Sequence, residues 1–174
     1  MSTWPTRGSL RPARTSSQWD SLGHVGYTSD AFYNGATQSD VVAGRRNTIE
    51  HWARRGIAGR AVLLDMVRTF ADLKRPYDPG TSTAFSVEDV ELARERTGLR
   101  FQTGDVLLLH TGFAAWYLSQ EPADRAKVPA DIRTPGLARS EQMCEYLWDS
   151  HLAAIASDTF AVEVFPPDQN TPMG

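Results

Sequence analysis

Phe101-Gln102-Thr103-Gly104-Asp105-Val106-Leu107-Leu108-Leu109-His110-Thr111-Gly112 decides the fold class. Its run from Asp105 to His110 is short, continuous and apolar, the pattern of a strand covered on both faces. Two runs of the same kind flank it, Arg60 to Met66 before and Leu152 to Ser157 after. Between the first two, Ser86-Val87-Glu88-Asp89 opens a helix that runs to Thr97 and stops at Gly98, with Val87, Val90 and Ala93 pointing inward. Between the second and third, Ser140 to Trp148 makes another helix, with Met143, Leu147 and Cys144 as its buried face. Strands that alternate with helices predict an α/β architecture.

Each apolar run ends in a polar or ionisable side chain: Asp65, His110 and Asp158. In open α/β sheets ligands bind beyond the carboxyl ends of the strands, so three such ends are candidates to line one cleft. The alternative is that strand-ending Asp residues only begin turns. Further out, Met1 to Thr15 is rich in Ser, Thr, Pro, Gly and Arg without periodicity and reads as a poorly ordered tail, which leaves residues 16–174 as one domain. Ser29 to Gly44 reads as a loop in which Tyr33-Asn34-Gly35 turns tightly. Asn47-Thr48-Ile49-Glu50 predicts a helix from about Thr48 to Arg55 with Ile49, Trp52 and Ala53 on one face. His51 reads as a solvated helix residue and His151 as a packing or capping residue.

At 174 residues, 41% hydrophobic and 22% charged, the chain is long enough for one good core and ordinary enough to exclude general disorder. The net charge of -3 and 16 scattered Arg beside only Lys74 and Lys127 argue against a nucleic-acid partner, which needs concentrated positive charge. Cys144 is the only cysteine, so neither an intrachain disulfide nor a Cys-based zinc site forms. No apolar stretch has signal-peptide or transmembrane length, and the expectation is a soluble, cytoplasmic protein without a membrane partner.

The chemistry is concentrated in Ser16-Ser17-Gln18-Trp19-Asp20-Ser21-Leu22-Gly23-His24-Val25-Gly26-Tyr27. A carboxylate and an imidazole four residues apart, in a stretch too rich in Ser and Gly for a helix interior, are groups that metal-assisted hydrolysis places around one water. The spacing by itself occurs by chance in many chains. Its surroundings carry the argument: Tyr33-Asn34-Gly35, Gly56 to Asp65, Phe101 to Gly112 and Trp148 to Asp158 follow it in order. Together these blocks resemble the cyclase family of metal-dependent hydrolases, which includes bacterial kynurenine formamidase and isatin hydrolase, and more closely a branch with S-Q-W-D-x-x-x-H in the motif.

That resemblance implies a β/α fold with a central barrel-like mixed sheet flanked by helices, present here in partial form, since family members usually have longer segments at both ends. It implies hydrolysis of a small-molecule amide, lactam or lactone, with arylformamidase-like action on N-formylkynurenine, a step of tryptophan catabolism to kynurenine, as the most specific version. Other members carry H-x-G-T-H-x-D-x-P-x-H, whose first two His and Asp hold the metal and whose last His transfers a proton. The Asp and last His fall on Asp20 and His24, whereas the two metal-binding His positions fall on Arg14 and Gln18. Arg cannot ligate a cation and an amide oxygen is a weak ligand.

On this resemblance Asp20 ligates a divalent ion, Zn or Mn, with Gln18 contributing weakly. His24 relays a proton, and Asp158 is a second catalytic candidate because Ala156-Ser157-Asp158-Thr159 resembles a family site segment. Trp19, Tyr27 and Tyr33 are candidates for an aromatic substrate wall, although Trp19 reads more readily as core, and His110 is a further substrate-binding candidate. The expected partners are a small-molecule substrate and further copies of the chain. Two other readings stand beside the enzyme: a degenerate member that binds a small molecule or partner without turnover, and an incomplete chain whose open edges and apolar surface impair folding.

Overall fold

A computed structural model describes residues 18–28 and 30–167; the expected tail, 1–15, and Arg14 lie outside the described residues. The chain divides into two compact units, Met1–Ala58 and Gly59–Gly174.

The first unit holds a 3₁₀ turn at Tyr33–Gly35, helix α1 (Gln38–Val42) and helix α2 (Glu50–Arg55). Asn34 and Gly35 take positive φ (55° and 68°), as the Tyr-Asn-Gly reading expects. Helix α1 falls inside the segment expected to be loop. Its signal was Thr37-x-x-Asp40: the Thr37 hydroxyl accepts from the Asp40 backbone N–H while the Asp40 carboxylate accepts from the Thr37 N–H, a reciprocal capping box. In α2 the expected apolar face is not buried: Ile49 and Ala53 are exposed and Trp52 is half-buried. Six residues give too little area to bury a face, and α2 is closed instead by Gly56.

The second unit builds the sheet. Strands β1 (Ala61–Asp65), β3 (Val106–His110) and β5 (Ala154–Ser157) pair in parallel in the order β1-β3-β5, and the two-residue strands β2 (Ala84–Phe85) and β4 (Gly136–Leu137) form a separate parallel pair. Helices α3 (Met66–Asp72), α4 (Val87–Thr97), α5 (Phe113–Ser119), α6 (Pro122–Arg125) and α7 (Glu141–Asp149) lie between the strands, as the alternating pattern predicts. Among the described residues seven α-helices and parallel sheets make a mixed α/β fold. Among the described residues the strands are all parallel and close no barrel, because β1 and β5 both end the three-stranded sheet.

Burial alternates along β1 and β3. Val62, Leu64, Leu107 and Leu109 are buried and pack with Met66 and Phe70 of α3, Phe85, Val90 and Ala93 of α4, Leu137, and Met143 of α7. On the other face Leu63 is 53% and Leu108 36% exposed. The expectation of strands covered on both faces is thus corrected: one face carries the core and the other is open. Uninterrupted apolar sequence conceals this, because Leu occupies both faces.

Two carboxylates secure the start of the sheet and the flank of α4. Asp105, 2% exposed, accepts Arg60 Nε (2.8 Å) and Nη2 (2.6 Å) and the Gln102 N–H (2.7 Å). The Arg60 hydrogen bonds hold its carboxyl below the usual carboxylate range. Its backbone O accepts from Ala153 N (2.8 Å) just before β5, and Val106 N donates to Arg60 O (2.9 Å) just before β1, so one residue touches the approach to all three strands. Asp89 completes the Ser86 capping box of α4 and also pairs with Arg75. Helix α4 ends at Gly98 as expected. Helix α7 starts after Ser140, whose hydroxyl accepts from Met143 N, and buries Met143 with Tyr146 and Leu147 half-buried. Cys144, expected inside, is exposed. It stands about 100° around the helix from Met143 and shares the outer face with Trp148 four residues on, 71% exposed.

In β4, Gly136 has no room for a side chain: a Cβ would lie 2.4 Å from the carbonyl carbon of Glu163, whose segment pairs with Leu137. Gly136→Ala should therefore destabilise the chain by about 1–3 kcal/mol through forced displacement, read as a lowered midpoint in chemical denaturation. In α1, the Thr37 N–H and hydroxyl, followed by Arg45, hold the Asp40 carboxyl down at about 2. A folded value below the unfolded one stabilises at neutral pH and is lost as pH falls from about 4 toward 2. Carboxyl NMR should show Asp40 titrating near 2, and Thr37→Ala should move it upward.

Candidate functional site

The motif residues lie in the first unit on a loop braced from behind. His24 N donates to Ser21 O (3.0 Å), closing a turn, and Gly23 N donates to Asn47 O (2.8 Å). Asn47 Nδ2 also donates to Tyr33 O (2.8 Å), so one residue ties the motif loop to the Tyr33 turn. Asn47 itself sits at φ 60°, a conformation Asn tolerates. Sequence reading placed it at a helix start and missed this bracing role.

Gln18, Trp19, Asp20, His24, Tyr27 and Tyr33 are all exposed. For Trp19, 40% exposed, the core reading is corrected. Gln18 Nε2 donates to Asp20 Oδ1 (3.2 Å). Asp20 and His24 make no ion-pair or hydrogen-bond contact with each other in this structure. Among the described residues no group of three or more His, Cys, Asp or Glu gathers to hold a metal ion. One carboxylate with an amide donor turned toward it does not fit a tightly held divalent ion. What the loop does offer is an accessible carboxylate and an accessible imidazole on one braced turn, with aromatic side chains exposed nearby in sequence.

The second unit brings the three strand ends together as the parallel pattern predicts. Asp65 is the register partner of His110, and His110 Nδ1 lies 3.1 Å from Asp65 Oδ1. Asp158 follows β5 and faces the β3–α5 turn: its Oδ1 accepts from Thr111 N (2.6 Å) and Thr111 Oγ1 (2.7 Å), and its Oδ2 accepts from Gly112 N (2.9 Å). Gly112 carries φ 81°, and a Cβ there would sit 2.7 Å from Val67 Cγ2, so the turn requires glycine. Tyr77 OH donates to Thr111 O (2.7 Å), and burial, then the charges of Asp158 and Asp78, push its phenol above the ordinary range, keeping it a donor. Asp158 thus has both oxygens engaged in holding a turn, an arrangement suited to positioning. A cavity of about 550 Å³ lies over the open sheet face, lined by Leu63, Leu108 and Ala156 with Asp65, His110 and Asp158 along it. His51 is exposed, as expected; His151 is also exposed, and its carbonyl accepts from Gly104 N (2.9 Å).

A family model described as "Putative cyclase" matches residues 2–164. The chain belongs to this family. A crystal structure of a novel cyclase is similar to it with a TM-score of 0.70 and 27% sequence identity, over 85% of this chain and 48% of that one. The chain therefore spans about half the length of that structure. No curated protein sequence matches the chain. No helix among the described residues is long and apolar enough to cross a membrane.

Removing the Asp158 carboxylate leaves two backbone N–H groups and a buried hydroxyl without their acceptor. Asp158→Ala should cost about 1–3 kcal/mol of stability by denaturant titration, and Asp158→Asn, which keeps one oxygen, should cost less.

Proposed function

We propose that this cyclase-family chain hydrolyses a non-peptide acyl bond in a small molecule, an amide, lactam or lactone. Arylformamidase-like cleavage of an N-formylated aniline, of the N-formylkynurenine type, is the most specific form of this reading. The observation that carries it is the accessible Asp20 and His24 pair on a loop braced by Asn47, in a chain whose family match runs over residues 2–164. Such carbonyls resist water because the attacking oxygen must lose a proton while the leaving nitrogen or oxygen gains one. His24 is exposed, and an imidazole is the side-chain type suited to that relay. Asp20, steadied by Gln18, supplies negative charge close to the same turn, and Trp19, Tyr27 and Tyr33 supply exposed aromatic surface for an aryl group. Cytoplasmic location and self-association belong to this proposal, as does a substrate contact from His110.

The donor set favours a second reading, a family member that binds a small molecule without turnover: Gln18 stands where a metal-binding His is expected, and no three-ligand cluster forms among the described residues. Zinc and manganese are accordingly quantities to be measured in the purified protein. N-formylkynurenine and simple lactones should be turned over, with or without either added metal, and His24→Ala and Asp20→Ala should each lower the rate by about 10²–10⁴-fold. A folded protein that converts none of these substrates with either metal present leaves the binding reading in place of the enzyme.

A further inference from the structure

The hydrolase reading assigns no role to the apolar side chains on the open face of the sheet. Leu63, 53% exposed, and Leu108, 36% exposed, sit side by side in register, and Ala156 is the partner of Leu108 on β5. They form the apolar wall of the 550 Å³ cavity, and no Lys or Arg lines it. At the carboxyl ends of the same strands stand Asp65 and His110, each more than a third exposed.

Asp65 is held in place by two contacts to one oxygen: Oδ1 accepts from Arg68 N (2.9 Å) and lies 3.1 Å from His110 Nδ1. Its Oδ2 takes no hydrogen bond among the described residues. Arg68 (3.9 Å) and Arg96, which line an adjoining pocket with Asp65, both pair with Asp72. Asp158, at the third strand end, has both oxygens engaged by the β3–α5 turn. The polar end of the cavity therefore presents a carboxylate with one oxygen open among the described residues, against a hydrocarbon wall. A ligand that satisfies it must bring donors and positive charge at one end and apolar surface at the other.

We propose that this cavity is a binding site for a small apolar primary amine, with its ammonium group on Asp65 and its hydrocarbon body on Leu63, Leu108 and Ala156. The site uses residues of the second unit alone and stands whether or not Asp20 and His24 are catalytic. Methyl-resolved NMR of the full chain, titrated with benzylamine, tests it. Benzylammonium should give saturable shifts at the Leu63, Leu108 and Ala156 methyls, with benzoate and benzyl alcohol at least tenfold weaker. Asp65→Asn, whose amide oxygen can still accept from Arg68 N, should weaken benzylammonium at least tenfold in a protein that keeps its fold.

Absence of saturable shifts, equal binding of benzoate or benzyl alcohol, or unchanged affinity in folded Asp65→Asn overturns the site. Should Asp65→Asn fail to fold, Leu63→Trp decides, since it fills the cavity from an exposed position. Loss of benzylammonium binding there supports the site, and wild-type affinity overturns it.

Discussion

Three short parallel strands do not stay paired in water unless one whole face is removed from it, and the second unit depends on that burial. Val62, Leu64, Leu107 and Leu109 supply the sheet's share of the core, and α3, α4 and α7 supply the covering layer through Met66, Phe70, Val90, Ala93 and Met143. Each of the larger side chains, Ala93 aside, returns about 1.5–3 kcal/mol on leaving water, set against the entropy of ordering long crossovers between strands. Two carboxylates then fix where the strands begin and end. Asp105 touches the approach to all three through Arg60 and the Ala153 N–H, and Asp158 ties the exit of β5 to the turn after β3.

This clamping gives the strand ends their chemical character. Parallel register sets Asp65 beside His110 with no further device, and α3 adds the Arg68 N–H that orients the carboxylate. Because Asp158 spends both oxygens on Thr111 and Gly112, the two carboxylates at the outer strand ends acquire different duties, one structural and one open to solvent. The first unit reaches accessibility by another route. There a Ser- and Gly-rich loop leaves Asp20 and His24 exposed while Asn47 restrains it through backbone contacts. Family membership unites the two units in one evolutionary frame, and the chain's span of about half the related structure makes the chemistry of each unit a separate experimental question.

Several features were legible in sequence because their causes are local. The α4 boundaries follow from Ser86, Asp89 and Gly98, whose capping groups lie within a turn of the helix ends. The Asn34 turn follows from backbone tolerance, and the family order of motifs from residues read directly. Helix α1 was equally local, with Thr37 and Asp40 three residues apart, and was passed over because its five residues carry no apolar stripe. The role of Cys144 was misjudged because consecutive helix residues stand about 100° apart: Met143 faces the core as expected, and Cys144, one step on, faces out.

What the sequence by itself determined is the three strands of the main sheet, the helices that Ser86 and Ser140 open between them, and the residue types available for chemistry, since propensity, capping and strand character act over a few residues. Which face of the sheet is covered, which of Asp65, Asp105 and Asp158 is consumed by backbone donors, and that Asn47 braces the motif loop were decided only by the tertiary structure. Those outcomes depend on partners 14 to 47 residues away, and a carboxylate's role is set by which distant N–H groups the fold delivers to it.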